Sequence, residues 1–447
     1  MPQSASTVET DLPSTTATGG TSRGAARLDH ALERPPSGPA HASLNLISRP
    51  LVAFWIVVLI AVAACVPMVS YGWDVQVYSA AIHSLRAGHD PYADAMAIQR
   101  LYHDQPALHP QGDPPYSYVY SPLTLPLVAF VGRLPFRISA TAYWLVYALG
   151  VLGEIWFALQ LTEIRERRYF LYLAPVAAFF PGLLENGTVL GGNIAYVLYA
   201  ALLLCAIVGW RRGTWRWFYL AALAASCVKA PLLSLVVIPI LSARRQWLPA
   251  TLTTAAGVAL FAMQPFVWPT LFANYLKAVN LQFLYNRDFG CSPAGLFSDL
   301  LYTHGISYSP GGLIFYLCYA IPLLALLFYL SRRFLAGNFA LAEWAPVLLT
   351  GVILLNPRIM EYDVAPITLP LVLIAWRFFA RFTNTAKTIL YLAILIAVTN
   401  GIAATGWYVR KLVDGPLVVL LFAVGCWSLL RQTQSPAHTL PTANALP

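Results

Sequence analysis

The run Leu51-Val52-Ala53-Phe54-Trp55-Ile56-Val57-Val58-Leu59-Ile60-Ala61-Val62-Ala63-Ala64-Cys65-Val66-Pro67-Met68-Val69 decides the fold class. It holds no charged residue and exceeds the ~17 residues that a straight membrane-spanning helix needs. The polar lead ahead of it is too long for an ordinary cleaved signal peptide, whose apolar core follows close behind the start. The run is therefore predicted to be retained as a first span. Residues 1–46 are rich in Ser, Thr, Ala, Pro and Gly, with almost no large apolar side chain. Such a segment cannot bury enough surface to offset its ordering entropy, so a disordered tail is expected there. Arg23, Arg27, Arg34 and Arg49 precede the run, which puts the tail in the cytoplasm by the positive-inside rule.

The rest of the chain has the same character. Of its 447 residues 58% are hydrophobic and only 11% charged, against about a quarter charged in a soluble domain. Mean hydropathy is +0.62. Prolines and glycines scattered among apolar residues exclude a fibrous chain, and 13% aromatic residues exclude disorder for the bulk of it. What remains is an all-α polytopic membrane protein. The net charge of +9 then reflects cytoplasmic loops rather than nucleic-acid binding. Of the six cysteines only Cys291 lies in a polar loop; without metal-type spacing they are packing residues.

Apolar runs near 51–69, 139–161, 169–184, 194–209, 217–228, 231–241, 248–267, 311–330, 340–355, 363–376, 388–404 and 416–430 predict about twelve spans. This layout puts 18 of the 28 cations inside, among them Arg165, Arg167, Arg168, Arg211, Arg212, Arg332, Arg333, Arg377 and Arg381. Arg410 and Lys411 break the rule. Pro122 to Leu134 is too short to span and is expected at the interface. Trp217 to Leu241 is split at Lys229-Ala230-Pro231, because one continuous span would expose Arg244 and Arg245 outside. The transmembrane domain then covers 47–432, with outer loops at about 70–140 and 268–310, a short outer turn at Asn356–Asp363, and a second disordered cytoplasmic tail at 433–447.

Chemistry-bearing residues collect on the outer face. Asp74 follows the first span and opens a stretch with Tyr78, Ala81, Ile82 and Leu85 at helical spacing and Gly88 as a stop. An amphipathic juxtamembrane helix is expected, in which Asp74 is either a general base on an acceptor hydroxyl or a helix cap. Gly88-His89-Asp90-Pro91-Tyr92 and Tyr116-Ser117-Tyr118-Val119-Tyr120-Ser121-Pro122 follow. Their aromatic rings suit sugar faces, and equally an interfacial belt. His83, His89, His103 and His109 share the loop with Asp90, Asp94, Asp104 and Asp113 but match no metal-ligand motif. Lys229 sits in an apolar run and Arg358 in the outer turn, where each either meets a lipid-linked phosphate or serves locally, Lys229 by snorkelling and Arg358 by pairing with Glu361 or Asp363. Gly191-Gly192-Asn193 allows close backbone approach and puts an amide at an outer helix start. Glu154 within a span and Glu185 at an outer end belong to no motif, and Asn186-Gly187-Thr188 fits a glycosylation sequon. No nucleotide-binding signature or serine-nucleophile elbow is present.

Taken together, these residues resemble the polyprenol-phosphate-sugar-dependent glycosyltransferases of the GT-C superfamily, and most closely the bacterial GT87 group of α-mannosyltransferases. The resemblance is carried by Asp74, Tyr78, Gly88-His89-Asp90-Pro91-Tyr92, Tyr118-Val119-Tyr120-Ser121-Pro122, Gly191-Gly192-Asn193, Lys229-Ala230-Pro231 and the turn Asn356-Pro357-Arg358-Ile359-Met360-Glu361-Tyr362-Asp363. It runs from about Trp55 to about Arg381. At the late turn, many members have Trp-Asp-His where this chain has Met360-Glu361-Tyr362. The likeness implies a GT-C-type bundle in a bacterial plasma membrane, with Asp74 as catalytic base and inversion at the anomeric carbon. It implies a polyprenyl-phosphate-linked sugar donor, a lipid or glycan acceptor, and no required metal or other cofactor. Tyr78, Asp90, Tyr92, Tyr118, Tyr120, Asn193, Lys229, Arg358, Glu361, Tyr362 and Asp363 are the expected substrate-binding residues. The rival class is a transporter or lipid flippase, which has a similar composition.

Overall fold

The computed structural model describes residues 49–69, 72–104, 118–179, 191–287, 289–403 and 405–432. The expected tails at 1–46 and 433–447, and with them Tyr116, Ser117, His109, Asp113, Glu185 and the sequon at Asn186, lie outside the described residues. Among those described, every regular element is a helix. In order they are α1 (Arg49–Val69), α2 (Trp73–Arg86), α3 (Pro91–Asp104), α4 (Leu125–Val131), α5 (Phe136–Gln160), α6 (Ile164–Phe179), α7 (Ala195–Arg212), α8 (Arg216–Val228) and α9 (Val237–Ser242). There follow α10 (Trp247–Val267), α11 (Pro269–Asn286), α12 (Pro293–Thr303), α13 (Tyr308–Leu335), α14 (Leu341–Leu354), α15 (Glu361–Val364), α16 (Thr368–Phe382), α17 (Thr385–Ala403) and α18 (Trp407–Gln432).

Among the described residues, each of the twelve predicted apolar runs overlaps helical structure, the run at 231–241 being largely a 3-10 segment. Seven helical stretches are long and apolar enough to cross a membrane: Phe136–Gln160, Ala195–Arg212, Trp247–Val267, Tyr308–Leu335, Tyr362–Phe382, Thr385–Ile402 and Val409–Arg431. Arg49–Ala61 of α1 and Leu341–Leu354 are shorter apolar stretches, and three further segments fall short for local reasons. Helix α6 opens on Ile164-Arg165-Glu166-Arg167-Arg168, whose charges belong outside hydrocarbon. Helix α8 stops at Val228, and Lys229 is extended. Pro231 then lacks the N–H that a continuing α-helix needs, and a 3-10 segment, Ala230–Val236, leads into α9. The break expected from the arginine distribution is thus built by the backbone itself. The Pro122 segment folds as a 3-10 turn, Pro122–Thr124, followed by seven-residue α4, about 10 Å long and too short to span.

Two helices form the centre. All residues from Trp344 to Leu354 on α14 and from Thr368 to Trp376 on α16 are buried. Around them α5, α10, α13 and α17 turn large apolar side chains outward, including Leu149, Phe266, Leu313 and Leu390, the surface expected against lipid tails. In lipid, helices associate through close packing rather than hydrophobic exclusion. Here α5 lies along α7, and a methyl at Gly150 would meet the Val197 backbone at 3.3 Å.

The end of the bundle that carries Asp74 has its own core. Val77, Ala81, Tyr92, Met96, Tyr118, Tyr120, Leu125, Ala278 and Leu281 cluster there, joining the two long loops that the sequence leaves separate. Asn274 Nδ2 donates to Asp90 Oδ2 at 2.7 Å, and Ser121 Oγ donates to Gln264 Oε1 at 2.7 Å. Lys411, one of the two cations that break the positive-inside pattern, is buried and donates to the Arg287 carbonyl at 2.9 Å. It is a pin between α18 and the second loop. At the opposite end Arg377 pairs with Glu166 at 2.8 Å and donates to the Leu161 carbonyl.

Candidate active site

Asp74 stands in the first turn of α2, behind Gly72 as the capping residue. Because the cap is a glycine with no side-chain bond, Asp74 is not the capping residue itself. Its Oδ1 accepts from Asn193 Nδ2 at 3.0 Å. The other end of that amide is fixed, since Asn193 Oδ1 accepts from the Ala195 N–H at 2.9 Å at the start of α7. The amide therefore presents its donor to the carboxylate, and the Gly-Gly-Asn element delivers the helix-start amide expected of it.

Tyrosines hold this meeting point. Tyr78 and Tyr120 share a hydroxyl–hydroxyl bond of 2.7 Å, and Tyr78 Oη accepts from the Ile194 N–H at 3.1 Å. Tyr143 of α5 packs edge-on against Tyr78 and donates to the Gly192 carbonyl. The 192–194 backbone is thus gripped from two helices. Sequence reasoning passed over Tyr143; its only signal is the pairing with Tyr147 four residues on, one face of a helix. Burial, then the neighbouring tyrosines and Asp74, push the Tyr78 phenol well above its ordinary value. Burial and then Asp74 act the same way on Tyr120. Both phenols are neutral donors at any physiological pH. Of Asp74, Asn193, Tyr78 and Tyr120, the carboxylate is the group able to take a proton.

A second cluster adjoins the first. Lys229, at the break after α8, donates to Asp363 Oδ1 at 2.6 Å, and its ammonium lies 3.9 Å from the centre of the Tyr362 ring. Asp363 Oδ2 accepts from the Met360 N–H at 3.1 Å, so this carboxylate is oriented at both oxygens. Arg358 and Asp74 lie close enough to Lys229 to act on its charge, and Asp74 lies as close to Tyr120. The two clusters are therefore within electrostatic reach of one another. Arg358 lies with its guanidinium 5.3 Å over the Phe283 ring, and Asn356 Oδ1 caps its N–H at 3.1 Å. The local partner of Asp363 is Lys229. The side chain of Glu361 lies outside the described residues.

The remaining expected residues build the wall. Asp90 Oδ1 accepts from the Tyr92 N–H at 2.8 Å at the start of α3. Tyr92 is fully buried and donates to the Tyr120 carbonyl at 2.7 Å. Tyr118 is buried and bonded to Thr124 Oγ1 at 2.6 Å. Their rings pack on one another and on Tyr275, leaving no open face for a sugar on Tyr92.

No protein-family model, curated protein or solved structure matches the chain. What the site does must therefore be argued from its own groups. It combines the Asp74 carboxylate and its oriented amide partner with neutral phenols, the Lys229–Asp363 pair and the Arg358 cation. Among the described residues, no three His, Cys, Asp or Glu side chains converge as a metal site would require; His89 and His103 instead make pairwise contacts with Asp94 and Asp104.

Proposed function

We propose that the chain is a GT-C-type membrane glycosyltransferase that moves a hexose, mannose by the family likeness, from a polyprenyl-phosphate donor to an acceptor hydroxyl. In this reading the acceptor oxygen attacks the anomeric carbon with inversion and the bond from that carbon to the phosphate oxygen breaks. The acceptor proton passes to Asp74, and polyprenyl phosphate leaves. Because the leaving group is already a phosphate, the protein supplies positioning, a base and charge stabilisation. The observation that carries the reading is the anchoring of Asp74 by Asn193 within electrostatic reach of Lys229, which Arg358 also influences. A carboxylate within electrostatic reach of a cation suits a reaction in which a proton is taken up while negative charge develops on a phosphate.

The proposal includes about twelve spans, the site on the extracytoplasmic side of a bacterial plasma membrane, both termini in the cytoplasm, and a lipid or glycan acceptor. Neither nucleic acid nor a cofactor takes part. The test is incubation of the full-length protein with a panel of radiolabelled polyprenyl-phosphate hexoses, comparing wild type with Asp74→Asn. Expected are transfer by the wild type and its loss in the variant at unchanged donor binding. Retained turnover would reject Asp74 as base. One observation favours a transporter or flippase instead: Glu154 is buried within α5, where an ionisable group is costly and commonly marks a translocation path. Vesicle uptake of labelled solute without release of polyprenyl phosphate would select that reading.

A further inference from the structure

Helix α2 carries two stripes. Asp74, Tyr78, Ala81 and Leu85 face the site described above. Ser79, Ile82, His83 and Arg86, at i, i+3, i+4 and i+7, line a separate cleft of about 190 Å³ together with Val131, Gly132, Phe136 and Ser139. Its polar lining is of one kind. Arg86, His83, Ser79 and Ser139 can all donate hydrogen bonds, and no carboxylate lines the cleft.

Arg86 is held in place. Its Nε donates to the Gly132 carbonyl at 2.6 Å, and its Nη2 donates to the Gly132 and Leu134 carbonyls, the first at the C-cap of α4 and the second in the turn that follows. That arrangement is a helix C-cap by a cation. It uses one edge of the guanidinium and leaves the Nη1 edge without a partner among the described residues. No ion pair there neutralises its charge, and the side chains of Ser79 and His83 make no hydrogen bond there. Beside the cleft Phe130, Leu134, Phe136 and Ile138 expose large apolar surface, on α4, the turn after it and the start of α5.

We propose that this cleft binds the phosphodiester headgroup of an anionic membrane phospholipid. The phosphate meets the free edge of Arg86 and the His83 ring, the headgroup hydroxyls meet Ser79 and Ser139, and the acyl chains cover the flanking apolar residues. Charge-assisted bonds from a fixed guanidinium give preference for an anionic headgroup. The exposed apolar flank commits the occupant to a lipid rather than a free anion. Because the cleft lies on a different stripe of α2 from Asp74, the inference stands independently of the glycosyltransferase reading.

Native mass spectrometry of the full chain released from nanodiscs of mixed phosphatidylglycerol and phosphatidylcholine tests it. Wild type is expected to retain phosphatidylglycerol in preference to phosphatidylcholine. Arg86→Gln should lower that retention about tenfold and His83→Ala several-fold, the loss of a charge-assisted bond. Asp74→Asn and Arg100→Ala, the latter an exposed cation on α3, should leave it unchanged. Should Arg86→Gln fail to fold, His83→Ala and Ser79→Ala decide, since neither side chain supports the core. Equal retention of both lipids, an equal loss in Arg100→Ala, or displacement of the lipid by millimolar inorganic phosphate would each overturn the proposal.

Discussion

Asn193 uses both ends of its amide, one on the α7 backbone and one on Asp74, so its effect on the carboxylate is directional. Asn193→Ala removes that orientation while leaving the carboxylate in place. In the glycosyltransferase reading kcat should fall about 100-fold, the usual cost of a small misplacement of a reacting group. The donor KM should stay near the wild-type value, because Asn193 touches Asp74 rather than the phosphate-facing cations. Steady-state kinetics with the labelled donor separate the two constants, and a rise in KM alone would remove Asn193 from the positioning role. Lys229 and Asp363 permit a complementary measurement. Their side chains are only 15% and 7% exposed, and stripping one partner from such a pair leaves an uncompensated buried charge. Lys229→Met should therefore destabilise the chain by about 3 kcal/mol, and Lys229→Met with Asp363→Leu should recover most of that loss. Thermal unfolding in detergent gives the stabilities. Donor binding in the double variant then tells whether Lys229 or Arg358 meets the phosphate: retained binding assigns it to Arg358.

Among the elements, what the sequence makes legible follows from periodicity and charge. The apolar runs, the break at Lys229 and the juxtamembrane helix with Asp74 in its first turn were all readable, because lipid enforces helices and arginines mark one side. The joining of the two long loops was not. It rests on bonds such as Asn274 to Asp90 and Ser121 to Gln264, between residues far apart in sequence and without a pattern of their own. For the same reason the burial of Tyr92 and Tyr118 was hidden, since an aromatic residue fits a binding surface and a core equally well. Close backbone approach is likewise silent in the sequence. Gly290 has φ +83, and a methyl there would stand 2.4 Å from the Ile359 carbonyl oxygen, whereas Gly305 has φ +69 with open space around it. Gly290→Ala should cost at least about 2 kcal/mol and Gly305→Ala about 1 kcal/mol. Equal melting shifts would show that the Ile359 contact does not matter. The buried tyrosines of the Asp74-end core add a pH dependence. Burial raises Tyr78, Tyr92, Tyr118 and Tyr120 above the ordinary value of 10.0. The folded chain then holds protons that the unfolded chain releases, so stability is full below pH 10 and falls as pH rises beyond it. Unfolding temperatures taken from pH 8 to pH 11 should decline only at the alkaline end.

At the scale of the whole molecule, the bundle is polarised along its axis. Helices α5, α7 and α16 all run from the Asp74 end to the opposite one. Near their starts they carry Tyr143, Asn193 just ahead of α7, and Asp363 just ahead of α16; toward the far end come Arg211, Arg212, Arg377 and Arg381. The cationic end also holds Arg332 and Arg333 at the close of α13. In the proposed orientation, which follows the positive-inside rule, that end faces the cytoplasm. Lys411 does not oppose this, because its charge is buried against the Arg287 carbonyl rather than displayed to a membrane surface. The orientation is open to direct measurement. In a Cys65→Ala and Cys318→Ala background, which removes the exposed thiol among the described residues together with Cys65, His89→Cys and Arg212→Cys place one new thiol at each end, both at exposed positions. A membrane-impermeant maleimide added to intact spheroplasts should label His89→Cys at once and Arg212→Cys only after permeabilisation. The inverse pattern would put Asp74 in the cytosol. A base working there would meet its acceptor on the wrong side for an extracytoplasmic lipid-linked donor, and the chemistry proposed for the site would fall with the orientation.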